Sequence, residues 1–73
     1  MHRAKEIGDL ARANLSIADC EERIREQAAV VEKLRREGCD TTEAEQVLAA
    51  MREQIDAWRE RRRLLLYAMA ETD

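Results

Sequence analysis

Two cysteines and sixteen carboxylates are the residues of this chain that could do chemistry, and their neighbours decide which chemistry is open to them. A nucleophilic cysteine needs a nearby base and a positive environment to form its thiolate. Cys39 instead stands beside Asp40 and close to Glu37. Cys20 falls on an apolar helix face, where a thiol packs as a small hydrophobic group. The sequence therefore predicts no catalytic residue, and we expect the protein not to be an enzyme.

Metal binding in helical bundles uses inward-facing glutamates together with histidines. This chain has a single histidine, His2, and Glu6 is the one glutamate on an apolar face. The spacing of Cys20 and Cys39 does not fit a zinc site, and along one helix they would stand roughly 28 Å apart, beyond the reach of a disulfide. We expect no metal, no cofactor and two free thiols.

A basic run near the end of the chain is the local feature that could bind a polyanion, because clustered arginines contact phosphates and a neighbouring aromatic ring can stack on a base. The run contains the arginines Arg59, Arg61, Arg62 and Arg63. Trp58 and Tyr67 flank it, but Glu60 interrupts it, and the net charge of the chain is −3. No overall attraction to nucleic acid follows from that charge. The sequence therefore predicts arginines that pair within the chain, and nucleic acid is not expected as a partner.

Length and composition indicate what kind of fold positions these side chains. Seventy-three residues form at most one small domain, predicted here as a single unit over 1–73. Charged residues make up 40% of the chain, aromatic residues 3%, and proline is absent, which is typical of long helices. The chain has no apolar run long enough to span a bilayer and no apolar core of a secretory signal. A cytoplasmic location without membrane contact is the expectation.

Apolar or small residues recur at steps of three and four in two stretches, which is the period of one buried helix face. The first stripe comprises Ile7, Leu10, Ala13, Ile17, Cys20, Ile24, Ala28, Val31 and Leu34. The second comprises Ala44, Val47, Leu48, Met51, Ile55, Trp58, Leu65 and Met69. Arg62 interrupts the second stripe, where its long stem could lie over apolar neighbours. The prediction is an all-α fold with coiled-coil-like helices over about 4–37 and 42–71.

The turn at 38–41 begins with a helix stop signal. Gly38 can adopt the left-handed conformation that ends a helix, and Cys39 would then lie close to Leu34. The first helix is therefore expected to stop at Glu37. A link of only four to six residues makes the two helices antiparallel neighbours.

The same turn ends with a helix start signal that can be read in two frames. Thr42 and Glu45 have the spacing of a capping box, in which each side chain accepts a hydrogen bond from an unpaired amide. Asp40 and Glu43 form a competing frame, two residues earlier. The sequence leaves both frames open.

An antiparallel pairing in which partner numbers sum to about 79 brings apolar residues together. It matches Ile24 with Ile55 and Cys20 with Trp58, so Trp58 is expected to be buried. The same register predicts charge pairs across the hairpin: Arg36 with Glu43, Glu26 with Arg52, Arg23 with Asp56, and the basic run with Asp19, Glu21 and Glu22.

A two-helix hairpin cannot cover all of its own apolar surface. Leu15 and Val30 fall outside the first stripe, and the end of the second helix is apolar nearly all round. We therefore expect a homo-oligomer, with a dimer that forms a four-helix bundle favoured. The predicted interface consists of Leu10, Leu15, Trp58, Leu64, Leu65, Leu66, Tyr67 and Met69.

Residues 17–66 resemble a set of small uncharacterised proteins of alpha-proteobacteria, of the rhizobial type especially. The matching stretch is IADCEERIREQAAVVEKLRREGCDTTEAEQVLAAMREQIDAWRERRRLLL. The similarity includes a turn matched here by Gly38, Asp40, Thr41 and Ala44, followed by a helix that ends in a basic, leucine-rich stretch. It implies a helical hairpin in a bacterial cytoplasm and brings no activity, cofactor or site residue. Cys39 departs from the polar or basic residue usual in that turn, so no shared role of the thiol is implied.

The function predicted from these observations is a non-enzymatic one, through self-association or protein–protein interaction with a larger partner. An alternative is a small adaptor or inhibitor whose acidic surface, Asp19 to Glu26, binds a basic protein. Nucleic-acid binding through Arg59 to Arg63 is a further, less favoured alternative.

Overall fold

The chain forms an antiparallel helical hairpin. The computed structural model describes residues 2–71, with side chains from residue 4 onward. Helix α1 runs over His2–Arg36 and helix α2 over Thr42–Glu71, and the molecule measures 57 × 14 × 13 Å between Cα atoms. This confirms the predicted all-α hairpin, with α2 over the predicted residues and α1 shifted by one or two residues at each end.

Helix α1 ends in the way that the glycine predicts. Gly38 has a positive φ of 73°. The Cys39 amide donates to the Leu34 carbonyl at 2.9 Å, and the Gly38 amide donates to the Arg35 carbonyl at 3.1 Å. These two bonds form a Schellman motif, which satisfies carbonyl groups that the end of a helix leaves unpaired. Close approach of Cys39 to Leu34 is thereby confirmed at the backbone.

Helix α2 starts differently from either predicted capping box. Asp40 accepts hydrogen bonds from the Thr42 amide at 3.0 Å and from the Thr42 hydroxyl at 2.7 Å, and the Glu45 amide donates to the Thr41 carbonyl at 2.9 Å. The Glu45 carboxylate accepts from Arg35 of α1 at 2.9 Å. The Thr42 frame is therefore wrong, because a cross-helix guanidinium holds the glutamate. The competing frame is right only in making Asp40 the side chain that caps the helix.

The core lies along the line of contact between the two helices and is thin. Among the described residues, the buried hydrophobic ones are Ala13, Ile17, Cys20, Val31, Leu48 and Ile55. Ile24 and Trp58 pack against the cluster formed by Ile17, Cys20 and Ile55. Ile24 and Trp58 thus lie against the cluster that contains their predicted partners, Ile55 and Cys20.

Burial along the two predicted stripes is less complete than expected, and three large side chains illustrate this. Ile7 and Val47 are exposed, and Trp58 is only half-buried. Each lies toward the side of its stripe. Two helices enclose only the residues that point directly at each other, so a residue at the side of the stripe stays in water unless a further helix covers it.

Candidate interaction surfaces

Large apolar side chains remain exposed at the open end of the hairpin, which we define as the end opposite the turn. Four members of the predicted interface have exposed fractions between 49% and 73%: Leu15, Leu64, Leu66 and Tyr67. Leu10, Leu65 and Met69 are half-buried between the helices. The structure thus divides the predicted set into residues that serve the hairpin and residues left on its surface.

Two arginines of the basic run are held by carboxylates. Arg59 lies 3.7 Å from Glu21 of α1 and 3.8 Å from Asp56 of its own helix. Arg63 donates two hydrogen bonds to Glu60, at 2.6 Å and 3.0 Å. The Arg63 hydrogen bond keeps the pKa of the Glu60 carboxyl below its usual value. The prediction that the run pairs across the hairpin is confirmed for Arg59 and Glu21.

The other two arginines also contact groups of the same chain. The Arg61 guanidinium lies 5.9 Å from the centre of the Trp58 ring, in cation–π geometry. Arg62 is half-buried on the apolar stripe and donates to the Asn14 amide oxygen of α1 at 3.4 Å. Its stem therefore lies where the sequence predicts it, with its charged end turned outward.

Several other predicted cross-helix charge pairs are wrong. Arg23 pairs with Asp19 at 3.2 Å and Arg36 with Glu32 at 3.9 Å, each four residues away on the same helix. Residues four apart stand one above the other on a helix surface, so these pairs form without any constraint from the partner helix. No ion pair joins Glu26 to Arg52 within the described part of the chain.

The remaining chemistry-bearing residues stand apart from one another. Cys20 is buried and Cys39 is exposed, both as free thiols. No group of three or more potential metal ligands occurs among the described residues, and the His2 side chain lies outside them. Glu6 is half-buried, and one of its carboxylate oxygens is buried without a hydrogen-bond partner.

A further surface follows one side of α2; its members Val47 and Leu64 were predicted as parts of other sets, and the surface as a whole was not predicted from the sequence. We call it the α2 flank; its members are Val47, Ala50, Gln54, Ala57, Arg61, Leu64 and Ala68, all exposed. Gln54, Ala57 and Arg61 line a shallow groove of about 260 Å³ together with Trp58. The signal was present in the sequence, because these residues also recur at steps of three and four, directly beside the core stripe.

The fold and these surfaces define the class of the protein as an all-α helical hairpin with a thin core and large apolar side chains on its outside. No helix in the described part combines the length and apolar character needed to cross a membrane. Comparison with protein-family models, with curated proteins and with solved structures gives no match. The resemblance to alpha-proteobacterial hairpin proteins therefore stays a prediction.

Proposed function

We propose that the protein acts without enzymatic chemistry, as a self-associating interaction protein whose hairpins pair into a four-helix bundle. The observation that supports this proposal is the exposure of Leu64 and Tyr67 at the end of α2. Apolar surface in water is unfavourable by roughly 25 cal/mol for each Å² that could be buried. Exposed apolar clusters on small proteins are typical of interaction sites.

The thin core supports the same proposal. A chain of this size buries a small fraction of its surface when it folds alone, and a second copy adds burial that one hairpin lacks. Trp58 and Val47 would gain burial in such an assembly, because they lie at the side of the stripe that the two helices enclose. Self-association therefore stabilises the fold as well as the assembly.

The ion pairs within the hairpin argue against the two alternative functions, binding of nucleic acid and binding of a basic protein. Arg59 and Arg63 already have carboxylate partners, so a polyanion would have to replace contacts that exist. Asp19 and Glu21, from the acidic surface of α1, are paired with arginines in the same way, which makes a basic protein partner less favoured. The proposal places the protein in the cytoplasm, as its sequence predicts.

Sedimentation velocity over a range of protein concentrations tests the proposal. The expected result is a species of twice the 8.5 kDa of one chain, which persists at high salt because apolar burial is not screened. The thermal unfolding midpoint should rise with protein concentration. A sample that remains at 8.5 kDa at every concentration would contradict self-association.

A further inference from the structure

We propose that two copies pair through the α2 flank, antiparallel, with Ala57 of each copy facing the other at a two-fold axis. This inference rests on the proposed self-association and names the surface that mediates it. Its starting point is the groove at Gln54, Ala57, Trp58 and Arg61, which lies at the middle of the flank.

The flank is long and continuous enough to be a helix-packing surface. Its residues occur at steps of three and four, so they form one line along the helix. From Val47 to Ala68 this line is about 32 Å long. The small side chains Ala50 and Ala57 let a second helix approach closely, and Val47 and Leu64 supply apolar bulk.

The flank is complementary to itself when one copy is reversed. About a two-fold axis, the numbers of facing residues sum to a constant, which is about 114 if Ala57 faces its own copy. Val47 then faces Ala68 of the second copy, and Ala50 faces Leu64. Each large side chain meets a small one, which is the arrangement that fills a helix interface.

The polar residues of the flank match in the same register. Gln54 of one copy faces Arg61 of the other, so the amide oxygen can accept from the guanidinium. Glu53, which has no ion-pair partner within the described residues, falls next to the same arginine. Arg61 lies over the Trp58 ring and makes no ion pair within the described residues, which leaves its donors available. The two-fold axis generates this Glu53–Arg61 pair twice.

The same pairing covers residues that the hairpin leaves exposed. Trp58 lines the same groove as Ala57, so the second copy covers part of the indole surface that the single hairpin leaves exposed. Val47 and Leu64, which are both exposed in the single hairpin, are covered as well. A central tryptophan shielded by apolar neighbours is typical of the residues that dominate interface energies.

The opposite face of the hairpin is less suited to this role. It also has a shallow groove, with Ile24 and Ile55 among its lining residues, but charged side chains make up the rest: Glu21, Arg25, Arg52, Asp56 and Arg59. Burying such a cluster against an apolar surface removes the water around its charges at a high cost. The α2 flank has one charged residue, Arg61, and the second copy brings a carboxylate to it.

The decisive experiment compares Ala57→Glu with Leu66→Glu by sedimentation. Both residues are exposed on α2, so each variant should keep the helical circular dichroism of the single hairpin. Ala57→Glu puts two carboxylates at the axis and is expected to weaken dimerisation by at least roughly 100-fold. Leu66→Glu lies off the flank and is expected to change it by less than about threefold.

Three outcomes of this comparison are informative. Loss of the dimer in Ala57→Glu alone supports the α2 flank. Loss in Leu66→Glu alone, or a dimer that survives Ala57→Glu, overturns the flank while leaving self-association intact. A wild-type protein that is monomeric overturns the proposed function itself, so the two failures can be told apart.

Charge exchange tests the antiparallel register directly. Glu53→Arg and Arg61→Glu should each weaken the dimer several-fold, because each places like charges together. The double variant, Glu53→Arg with Arg61→Glu, restores opposite charges across the axis and should recover an affinity within about threefold of the wild type. If the losses of the two single variants simply add in the double variant, the register is wrong.

Cross-linking tests the antiparallel arrangement by the distance between equivalent residues of the two copies. In a Cys20→Ala, Cys39→Ser background, the Ala57→Cys variant should link to its own copy through a short bismaleimide, because packed helix axes are about 8–10 Å apart. In the Cys20→Ala variant, which keeps Cys39, the two turns would be roughly 50 Å apart and should not link. Efficient linking through Cys39 would overturn the antiparallel arrangement.

Discussion

At the scale of single residues, Gly38 is the position where backbone conformation matters most. Its positive φ of 73° is unfavourable for a residue with a side chain, although a Cβ there would meet no atom within 4 Å. Gly38→Ala should therefore lower the free energy of unfolding by about 1 kcal/mol through backbone strain alone. Denaturant titration measures this change.

Gly8 provides the matched control, because a Cβ there also meets nothing within 4 Å. It lies inside α1 without a positive φ, so Gly8→Ala should raise stability by up to about 1 kcal/mol. The same substitution is thus expected to act with opposite signs at the two glycines. Equal effects at both positions would contradict the strain argument.

Asp40 gives the turn a dependence on pH. Hydrogen bonds from the Thr42 hydroxyl and the Thr42 amide lower the pKa of its carboxyl from the ordinary value of 3.8. A lowered pKa in the folded state means that the stabilisation is present above the unfolded value and is lost as the pH falls through the folded one. Asp40→Ala should therefore be less stable than the wild type at neutral pH, with the difference shrinking below pH 3.8.

Thr42→Val is the corresponding control, because it removes the hydroxyl donor and keeps the amide. A carbon-13 titration by NMR should place the Asp40 midpoint below 3.8 in the wild type and closer to 3.8 in Thr42→Val. If the midpoint does not move, the hydroxyl is not the main cause of the shift.

Prediction from sequence succeeded at residues where local chemistry decides the structure and failed where the partner helix decides. Gly38 could be placed because few residue types accept a positive φ. The capping frame could not, since Glu45 is taken by Arg35 of the other helix at 2.9 Å. The burial of Trp58 also depends on how many helices surround it, which the spacing of apolar residues along one helix does not specify.

At the scale of the helices, the pairing of α1 with α2 depends on the few side chains that both helices enclose. Ile55 is 3% exposed, whereas Ile7 is 53% exposed. Ile55→Val should reduce the free energy of unfolding by roughly 1 kcal/mol, because removing a buried methylene leaves a gap. Ile7→Val makes the same chemical change in water and should stay within about 0.5 kcal/mol of the wild type.

Urea titrations of the two variants, measured at one protein concentration, give this comparison directly. Similar losses for Ile55→Val and Ile7→Val would mean that Ile7 is covered in solution and that an interface includes the start of α1. The pair of substitutions therefore also reports on which side of the hairpin the second copy packs.

The two helices were also easier to predict than the charges between them. Apolar steps of three and four fix which face of each helix is inward, and a short turn fixes the antiparallel pairing. Exposed ion pairs contribute only roughly 0–1 kcal/mol each, so local partners such as Asp19 for Arg23 compete on equal terms with distant ones. The α2 flank was missed because its alternating large and small residues are weaker signals than the core stripe.

At the scale of the whole molecule, the hairpin is a narrow rod. The length of a dimer therefore depends on which surface forms the interface, and that length can be measured. One hairpin is 57 Å long with a Cα radius of gyration of 16.7 Å. Ala57 lies close to the midpoint of α2, which runs over Thr42–Glu71. Two copies paired there overlap along almost their whole length. Two copies joined only at their open ends would form a rod of nearly double length.

Small-angle X-ray scattering distinguishes the two assemblies. Side-by-side hairpins with helix axes about 10 Å apart should have a radius of gyration of about 17–18 Å, at a forward scattering that corresponds to two chains. An end-to-end assembly, overlapping only over the last two turns of α2, should reach about 28 Å. A dimer of the longer kind would place the second copy at Leu66 and Leu15, and would exclude Ala57 from the axis.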